Sequence, residues 1–265
     1  MSLPTDTGTV RTVRRTGETS ICYSVTGPPT GLTWVFIHGW GCRRTDFAPV
    51  AAFLPADHRV ITIDLPGHGG SRTARDSWTM EEFARDVAAV TDAEHVDRCV
   101  VVGHSLGGAV AIEYARLRPD VVTRVIGLDA YHYLALYPAI DDAAARPLLE
   151  GFETDFPAAV RGLVTMGSIP GTDPEFGETI FRKMSGIPQS VGVAALAGML
   201  RWDMDEALQA VSQPVTTLAV RGLLDPEAVA RYGDRIDFVV HELGSHHFLI
   251  EQPEETAKLL MAAIR

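Results

Sequence analysis

A serine flanked by glycines lies near the middle of the chain, in Gly103-His104-Ser105-Leu106-Gly107. The pattern G-x-S-x-G is typical of a sharp turn from a strand into a helix, and such a turn exposes the serine hydroxyl. The flanking glycines permit the strained backbone and the close approach of the helix. Ser105 is therefore a candidate nucleophile, or a hydroxyl that holds a substrate by a hydrogen bond.

A histidine pair near the C-terminus offers a general base. His246 and His247 follow the last apolar run of the chain, and Glu251 and Pro253 come shortly after them. An imidazole in this position can turn toward a pocket and accept a proton. The spacing to Glu251 and Pro253 favours His246 over His247 as the base.

Two aspartates could orient that histidine. Asp129 follows the apolar run 124–128, and Asp225 comes after the run 216–220. Either carboxylate could hold the imidazole and stabilise its charged form. Aspartate is also common as a helix or turn cap, so each could have that role instead. The residues alone leave both acids open.

These side chains need a scaffold that brings them together, and the chain predicts one. Apolar runs without alternation predict strands buried on both faces. They lie at residues 34–37, 59–64, 99–102, 124–128, 216–220 and 238–240, after two further strands at 9–15 and 19–25. Helical periodicity at 80–90, 109–117 and 256–264 separates them, which predicts a doubly wound α/β sheet. Ligands of such sheets gather beyond the carboxyl ends of the strands, where the candidate residues lie.

The strand–helix rhythm breaks over residues 131–207. This interval is rich in Ala, Leu, Met, Phe and Pro, with helical stretches at 143–152 and 191–200. Its position between two strands predicts a helical cap over the sheet edge. We therefore expect a core of residues 1–130 and 208–265 and a cap of residues 131–207.

Composition narrows the classes of function. The formal net charge is −11 and no run of Lys or Arg forms a basic stripe, so nucleic-acid binding is not expected. The three cysteines have no close pair, and the histidines lack metal-ligand spacing, which argues against a disulfide framework and a zinc site. No secretory leader and no apolar run of roughly 18 residues is present, so we expect a cytoplasmic protein without a membrane span.

The motifs taken together resemble the α/β-hydrolase superfamily, over roughly residues 9–265. HGWG at 38–41, DLPGHGGS at 64–71, GHSLGG at 103–108 and GSHHFLIEQPEE at 244–255 carry the likeness. The resemblance implies a mostly parallel eight-stranded sheet with helices on both faces and a helical cap. It also implies an oxyanion hole formed by the backbone N–H groups of Trp40 and Leu106. His38 and His104 belong to the same substrate-binding loops, and we expect them to support these loops rather than act as acid or base.

Within the superfamily, the chain is similar to the cofactor-independent dioxygenases that cleave 3-hydroxy-4(1H)-quinolones. These enzymes keep a serine at the sharp strand-to-helix turn, called the elbow. They also keep a histidine base, an acid after the sixth strand and a tryptophan in the first oxyanion loop. The matching residues here are Ser105, His246, Asp129 and Trp40. The likeness is greatest to the mycobacterial type, which acts on 2-alkyl-3-hydroxy-4(1H)-quinolones such as the Pseudomonas quinolone signal. It implies dioxygen as co-substrate, with no metal and no flavin.

The substrate that this resemblance implies is a small apolar aromatic molecule with an alkyl tail. The candidate cap residues that would surround such a tail are Leu134, Leu136, Phe152, Phe156, Leu163, Met166, Leu196, Met199 and Leu200. Asp225 departs from the dioxygenase pattern, because those enzymes need no acid after the seventh strand. Asp225 therefore leaves an alternative function open, that of a serine hydrolase of esters, amides or diketones with a Ser105–His246–Asp triad. A non-catalytic ligand-binding member of the superfamily is a third possibility.

Overall fold

An eight-stranded sheet forms the centre of the protein in the computed structural model, which describes residues 8–137 and 139–265. In chain order the strands are β1 Thr9–Arg14, β2 Ser20–Thr26, β3 Thr33–Ile37, β4 Arg59–Ile63, β5 Cys99–His104, β6 Val122–Leu128, β7 Val215–Val220 and β8 Ile236–His241. Their order across the sheet is β1-β2-β4-β3-β5-β6-β7-β8. The pairs β1–β2 and β2–β4 are antiparallel and the other pairs are parallel. The predicted fold class is confirmed.

The burial of the strands follows from their composition. Every residue of β3, β4, β5 and β7 is buried, as expected of strands covered on both faces. β1 lies at the edge of the sheet, and its residues are mostly exposed. Unbroken apolar runs therefore mark most of the central strands, while the more polar β1 forms one edge of the sheet.

Eleven α-helices occur in the described residues. They are α1 Ala48–Ala51, α2 Met80–Ala93, α3 Leu106–Leu117, α4 Asp142–Thr154, α5 Phe156–Met166, α6 Pro174–Met184, α7 Gln189–Leu200, α8 Met204–Gln209, α9 Pro226–Tyr232, α10 Phe248–Glu251 and α11 Pro253–Ala263. A short 3₁₀ turn, Arg44–Phe47, precedes α1. No helix within these residues is long and apolar enough to cross a membrane.

The interval 131–207 contains α4 to α7 and most of α8. The predicted helical stretches fall within α4 and α7, whereas α5 and α6 were not predicted. Aspartate side chains accept a hydrogen bond from the first turn of four of these helices, at Asp141, Asp155, Asp173 and Asp203. These caps define where each helix begins, because a side-chain oxygen satisfies an N–H that has no partner inside the helix.

Candidate active site

The serine turn has the strained geometry that its glycines predict. Ser105 stands between β5 and α3 with φ 53° and ψ −121°, in the left-handed half of conformational space. A Cβ on Gly103 would lie 2.1 Å from the carbonyl oxygen of Gly107, and a Cβ on Gly107 would lie 2.2 Å from that of Ile37. Only glycine fits at both positions, so the crossing of strand and helix is as tight as an elbow requires.

The predicted base lies beside one of the two predicted acids. His246 follows β8, and its Nδ1 is 2.6 Å from Oδ2 of Asp129, which directly follows β6. The Asp129 side chain is fully buried, while that of His246 is 16% exposed. An Nδ1–H that donates to the carboxylate leaves the lone pair of Nε2 for a proton from a substrate.

Asp129 accepts hydrogen bonds from more than the base. The backbone N–H of Val220 and Nε2 of His132 each lie 2.9 Å from Oδ1. The hydroxyl of Tyr133 donates to Oδ2, and Tyr133 Oη also lies 3.1 Å from His246 Nδ1. Burial by itself would raise the pKa of Asp129, but the bonds from His132 and His246 hold it well below its usual range. The carboxylate is therefore ionised at neutral pH although no water reaches it.

His132 and Tyr133 were not among the residues predicted for the site. Both lie in the loop that Asp129 begins, within four residues of it. The backbone of this loop turns sharply, with φ 46° at Asp129 and 72° at Tyr131. The only sequence signal is the closeness of two polar aromatic side chains to a candidate acid.

The alternative acid has a different surrounding. Asp225 is the N-cap residue of α9, and its Oδ1 accepts the backbone N–H of Glu227 at 2.9 Å. Among the described residues, no hydrogen bond joins Asp225 to His246. The structure thus brings Asp129 to the base and gives Asp225 the capping position that its residue type also allows.

The loop after β3 carries Trp40, whose backbone N–H is one of the two predicted oxyanion-hole donors. No hydrogen bond within residues 8–137 and 139–265 occupies the backbone N–H of Trp40 or of Leu106. The indole Nε1 of Trp40 donates to the carbonyl of Gly192 in α7 at 2.8 Å. Its ring lies 5.5 Å from that of Phe152 and 5.9 Å from that of Phe156. Trp40 therefore joins the loop after β3 to α7, while its backbone N–H has no hydrogen-bond partner among the described residues.

The two histidines assigned to the binding loops have different positions. His38 is fully buried, and its Nε2 accepts the backbone N–H of Leu65 at 2.9 Å. Among the described residues, it is not one of those that line the cavity at Ser105, and its bond to Leu65 joins the ends of β3 and β4. His104 does line the cavity, and its Nε2 lies 2.9 Å from the carbonyl oxygen of His246. That bond fixes the backbone that carries the base.

The spacing that singled out His246 has a structural reason. Oε2 of Glu251 accepts the backbone N–H of Ser245 at 2.8 Å and its hydroxyl at 2.5 Å. The backbone N–H of His246 donates to the carbonyl of Gly167 at 2.8 Å. The loop is therefore held from both sides, by the start of the C-terminal helices and by the end of α5.

A mainly apolar cavity opens onto Ser105, Tyr133 and His246. The other residues that line it are Gly39, Trp40, His104, Leu136, Leu163, Met166, Gly167, Met184, Leu196, Met199 and His247. Five of the nine predicted liners are present, and Met184 was not predicted. Of the rest, Phe152 and Phe156 pack on Trp40, Leu200 is buried in the core, and Leu134 is packed against that core. An apolar cavity with a few polar groups at one end is typical of a site for a small organic molecule.

Comparison with known proteins places the chain in a family. A family model described as "Alpha/beta hydrolase family" matches residues 34–259, and the chain belongs to this family. It is 30% identical to a pimeloyl-[acyl-carrier protein] methyl ester esterase of Methylococcus capsulatus, a match that covers 85% of this chain and 92% of the relative.

Solved structures agree with this assignment. A thermophilic esterase from Thermogutta terrifontis superposes with a TM-score of 0.82 at 25% identity, over 97% of this chain and 98% of the other. Est816, described as an N-acyl homoserine lactone degrading enzyme, gives a TM-score of 0.81 at 25% identity, over 95% and 99%. These three relatives are described as esterases or as a lactone-degrading enzyme, and an enzyme on an α/β-hydrolase fold is the class that fold and site define.

Proposed function

We propose that the protein is a cofactor-free dioxygenase that cleaves the heterocyclic ring of 2-alkyl-3-hydroxy-4(1H)-quinolones. The observation that carries the proposal is that His246, in the part of the chain that the structure describes, is bonded to Asp129 and not to Ser105. Within the described residues, the hydrogen bonds of His246 involve Asp129, Tyr133, His104 and Gly167, and none joins it to Ser105. A base that is oriented by a buried acid but not bonded to the serine suits removal of a proton from the substrate itself.

The chemistry begins with that proton. His246 Nε2 accepts the proton of the 3-hydroxyl, and the ionised carboxylate of Asp129 stabilises the imidazolium that forms. The substrate anion is electron-rich and transfers an electron to dioxygen, and recombination of the two radicals forms a C2–O bond. The distal peroxide oxygen then attacks C4. Cleavage of the O–O, C2–C3 and C3–C4 bonds releases C3 as carbon monoxide. The remaining N-acylanthranilate contains both atoms of the dioxygen.

The rest of the cavity suits the other parts of this substrate. In this reaction the backbone N–H groups of Trp40 and Leu106 stabilise negative charge on a substrate oxygen. Ser105 is a hydrogen-bond partner for the substrate anion in this reaction rather than a nucleophile. Leucine and methionine side chains from α5 and α7 form an apolar surface for an alkyl chain, where each buried CH₂ contributes about 0.8 kcal/mol.

An anaerobic assay tests the proposal directly. With 2-heptyl-3-hydroxy-4(1H)-quinolone as substrate, we expect consumption of one equivalent of dioxygen and release of one of carbon monoxide. Removal of oxygen should stop turnover, and its return should restore the rate. Undiminished turnover without oxygen would rule the dioxygenase out.

A serine hydrolase is the second candidate, and the elbow geometry favours it. Ser105 has the strained backbone of a nucleophile, and the backbone N–H groups of Trp40 and Leu106 have no partner within the described residues. The three relatives reported above are described as esterases or as a lactone-degrading enzyme. This candidate predicts covalent labelling of Ser105 by a fluorophosphonate and loss of turnover in Ser105→Ala. The dioxygenase predicts residual turnover in Ser105→Ala and near-complete loss in His246→Ala.

A further inference from the structure

Three buried side chains that play no part in the proposed chemistry meet beside the active site. They are Cys42, five residues after the end of β3, His104 directly before Ser105, and His247 directly after His246. One potential ligand atom of each lies within 4.8 Å of those of the other two, and all three residues are buried. Their positions in the chain give no metal-binding motif, so only the fold brings them together.

The surroundings of His104 are typical of a metal-binding histidine. His104 Nε2 lies 2.9 Å from the carbonyl of His246, and donation to that oxygen leaves Nδ1 with its lone pair. Metal-binding histidines commonly donate their second nitrogen in this way. Nδ1 faces the turn that carries Cys42, since a Cβ on Gly39 would lie 2.9 Å from it and Cys42 donates its backbone N–H to the Gly39 carbonyl.

His247 supplies a second, independent observation. Its side chain is buried, and its Nδ1 has no hydrogen-bond partner among the described residues. A buried polar atom without a partner costs about 1–3 kcal/mol, so such atoms are rare unless an ion or water satisfies them. The ring of His247 lies 5.2 Å from that of His104, close enough for both to reach one ion.

The neighbouring charges are balanced. Nζ of Lys183 lies 2.9 Å from Oδ2 of Asp46, and both side chains are only 3% exposed. Burial raises the pKa of the Cys42 thiol to about 12; Asp46 raises it further, and the ammonium of Lys183 opposes both. Binding of a cation to the sulfur therefore has to displace the thiol proton.

We propose that Cys42, His104 and His247 bind one thiophilic transition-metal ion, with Zn²⁺ as the ion that this donor set favours. One thiolate and two imidazoles are ligands of tetrahedral zinc, with bonds of about 2.3 Å to sulfur and about 2.0–2.1 Å to nitrogen. Ligand atoms on such an ion are about 3.5 Å apart, so small side-chain rotations close the observed spacing. The ion would join the oxyanion loop to the loop of the base.

Titration with Co²⁺ tests the proposal, because the absorption spectrum of Co²⁺ depends on its ligands. The test therefore does not require a measurement of activity. The reduced, chelator-treated full-length protein is titrated with Co²⁺ alone. We expect one equivalent to produce a thiolate-to-cobalt band in the near ultraviolet together with the visible bands of tetrahedral cobalt. One equivalent of Zn²⁺ should abolish both. Absence of these bands in the wild-type protein would overturn the proposal.

Variants identify the ligands. Cys42→Ser should lose the near-ultraviolet band, whereas Cys22→Ser and Cys99→Ser, which alter the other two cysteines, should keep it. His247→Gln retains the thiol and should bind Co²⁺ at least about tenfold more weakly, which gives a test if Cys42→Ser does not fold. An unchanged band in Cys42→Ser, or unchanged affinity in His247→Gln, would overturn the assignment.

Discussion

The loops after β6 and β7 each begin at the end of a central strand and each carry an aspartate, yet the two carboxylates have opposite surroundings. Asp129 is fully buried and accepts hydrogen bonds from Val220, His132, Tyr133 and His246. Asp225 is only half-buried and accepts the N–H of Glu227 at the start of α9. The same residue type at equivalent ends of neighbouring strands thus becomes a charged partner of a base in one loop and a helix cap in the other.

The largest expected difference is in catalysis. Asp129→Asn keeps the size of the side chain but removes the charge and offers an N–H to His246, which disfavours the tautomer that accepts a proton at Nε2. We expect kcat/KM to fall by about 10²–10⁴-fold, whereas Asp225→Asn should stay within about twofold. Steady-state kinetics with the alkyl quinolone measure both. If Asp225→Asn were the more damaging change, the mapping of the acid would be wrong and the hydrolase would gain support.

The second difference is in the free energy of unfolding. Asp129→Ala leaves several buried donors without an acceptor, and we expect a loss of about 3–5 kcal/mol. Asp225→Ala removes one cap and should cost about 1 kcal/mol. Urea denaturation of the two variants gives both values. Equal losses would show that the network around Asp129 is not held together by its charge.

This comparison also marks where sequence reasoning succeeds. The unbroken apolar runs predict the central strands β3 to β7, because strands covered on both faces are mostly apolar, and a further run predicts β8 at the edge of the sheet. The elbow follows from Gly103 and Gly107, since a side chain at either would collide with backbone. These features are local, and a local pattern therefore predicts them.

The remaining features depend on packing between distant segments. Asp129 and Asp225 both follow strands, and only the sharp turn at Asp129 decides which of them meets His246. The roles of His132 and Tyr133 depend on that turn, and they have no spacing motif of their own. The cluster of Cys42, His104 and His247 joins the end of β5 to two loops that are distant in the chain, so no window of the sequence contains it.

A smaller effect is expected from the hydroxyl of Tyr133. Tyr133→Phe removes one donor from the Asp129 carboxylate, and a hydrogen bond to a charged group contributes about 1.5–3 kcal/mol. We expect kcat to fall by about tenfold or more, with the fold intact. Tyr137→Phe is the matched control, because the Tyr137 hydroxyl makes only a 3.5 Å contact with the Ser105 carbonyl. A wild-type kcat in Tyr133→Phe would show that the Tyr133 hydroxyl does not contribute to catalysis.

The smallest effect is the pH dependence of stability, and its sign follows from the direction of one pKa. The hydrogen bonds from His132 and His246 hold the pKa of Asp129 below that of an aspartate in the unfolded chain, about 3.9. The unfolded state therefore takes up a proton first as the pH falls. The stability that Asp129 contributes is complete above about pH 4 and is lost progressively in more acidic solution. Urea denaturation at a series of pH values should show a shallower acid loss in Asp129→Asn than in the wild type, and no such change in Asp225→Asn. Parallel curves for Asp129→Asn and the wild type would mean that other carboxylates cause the acid sensitivity of this fold.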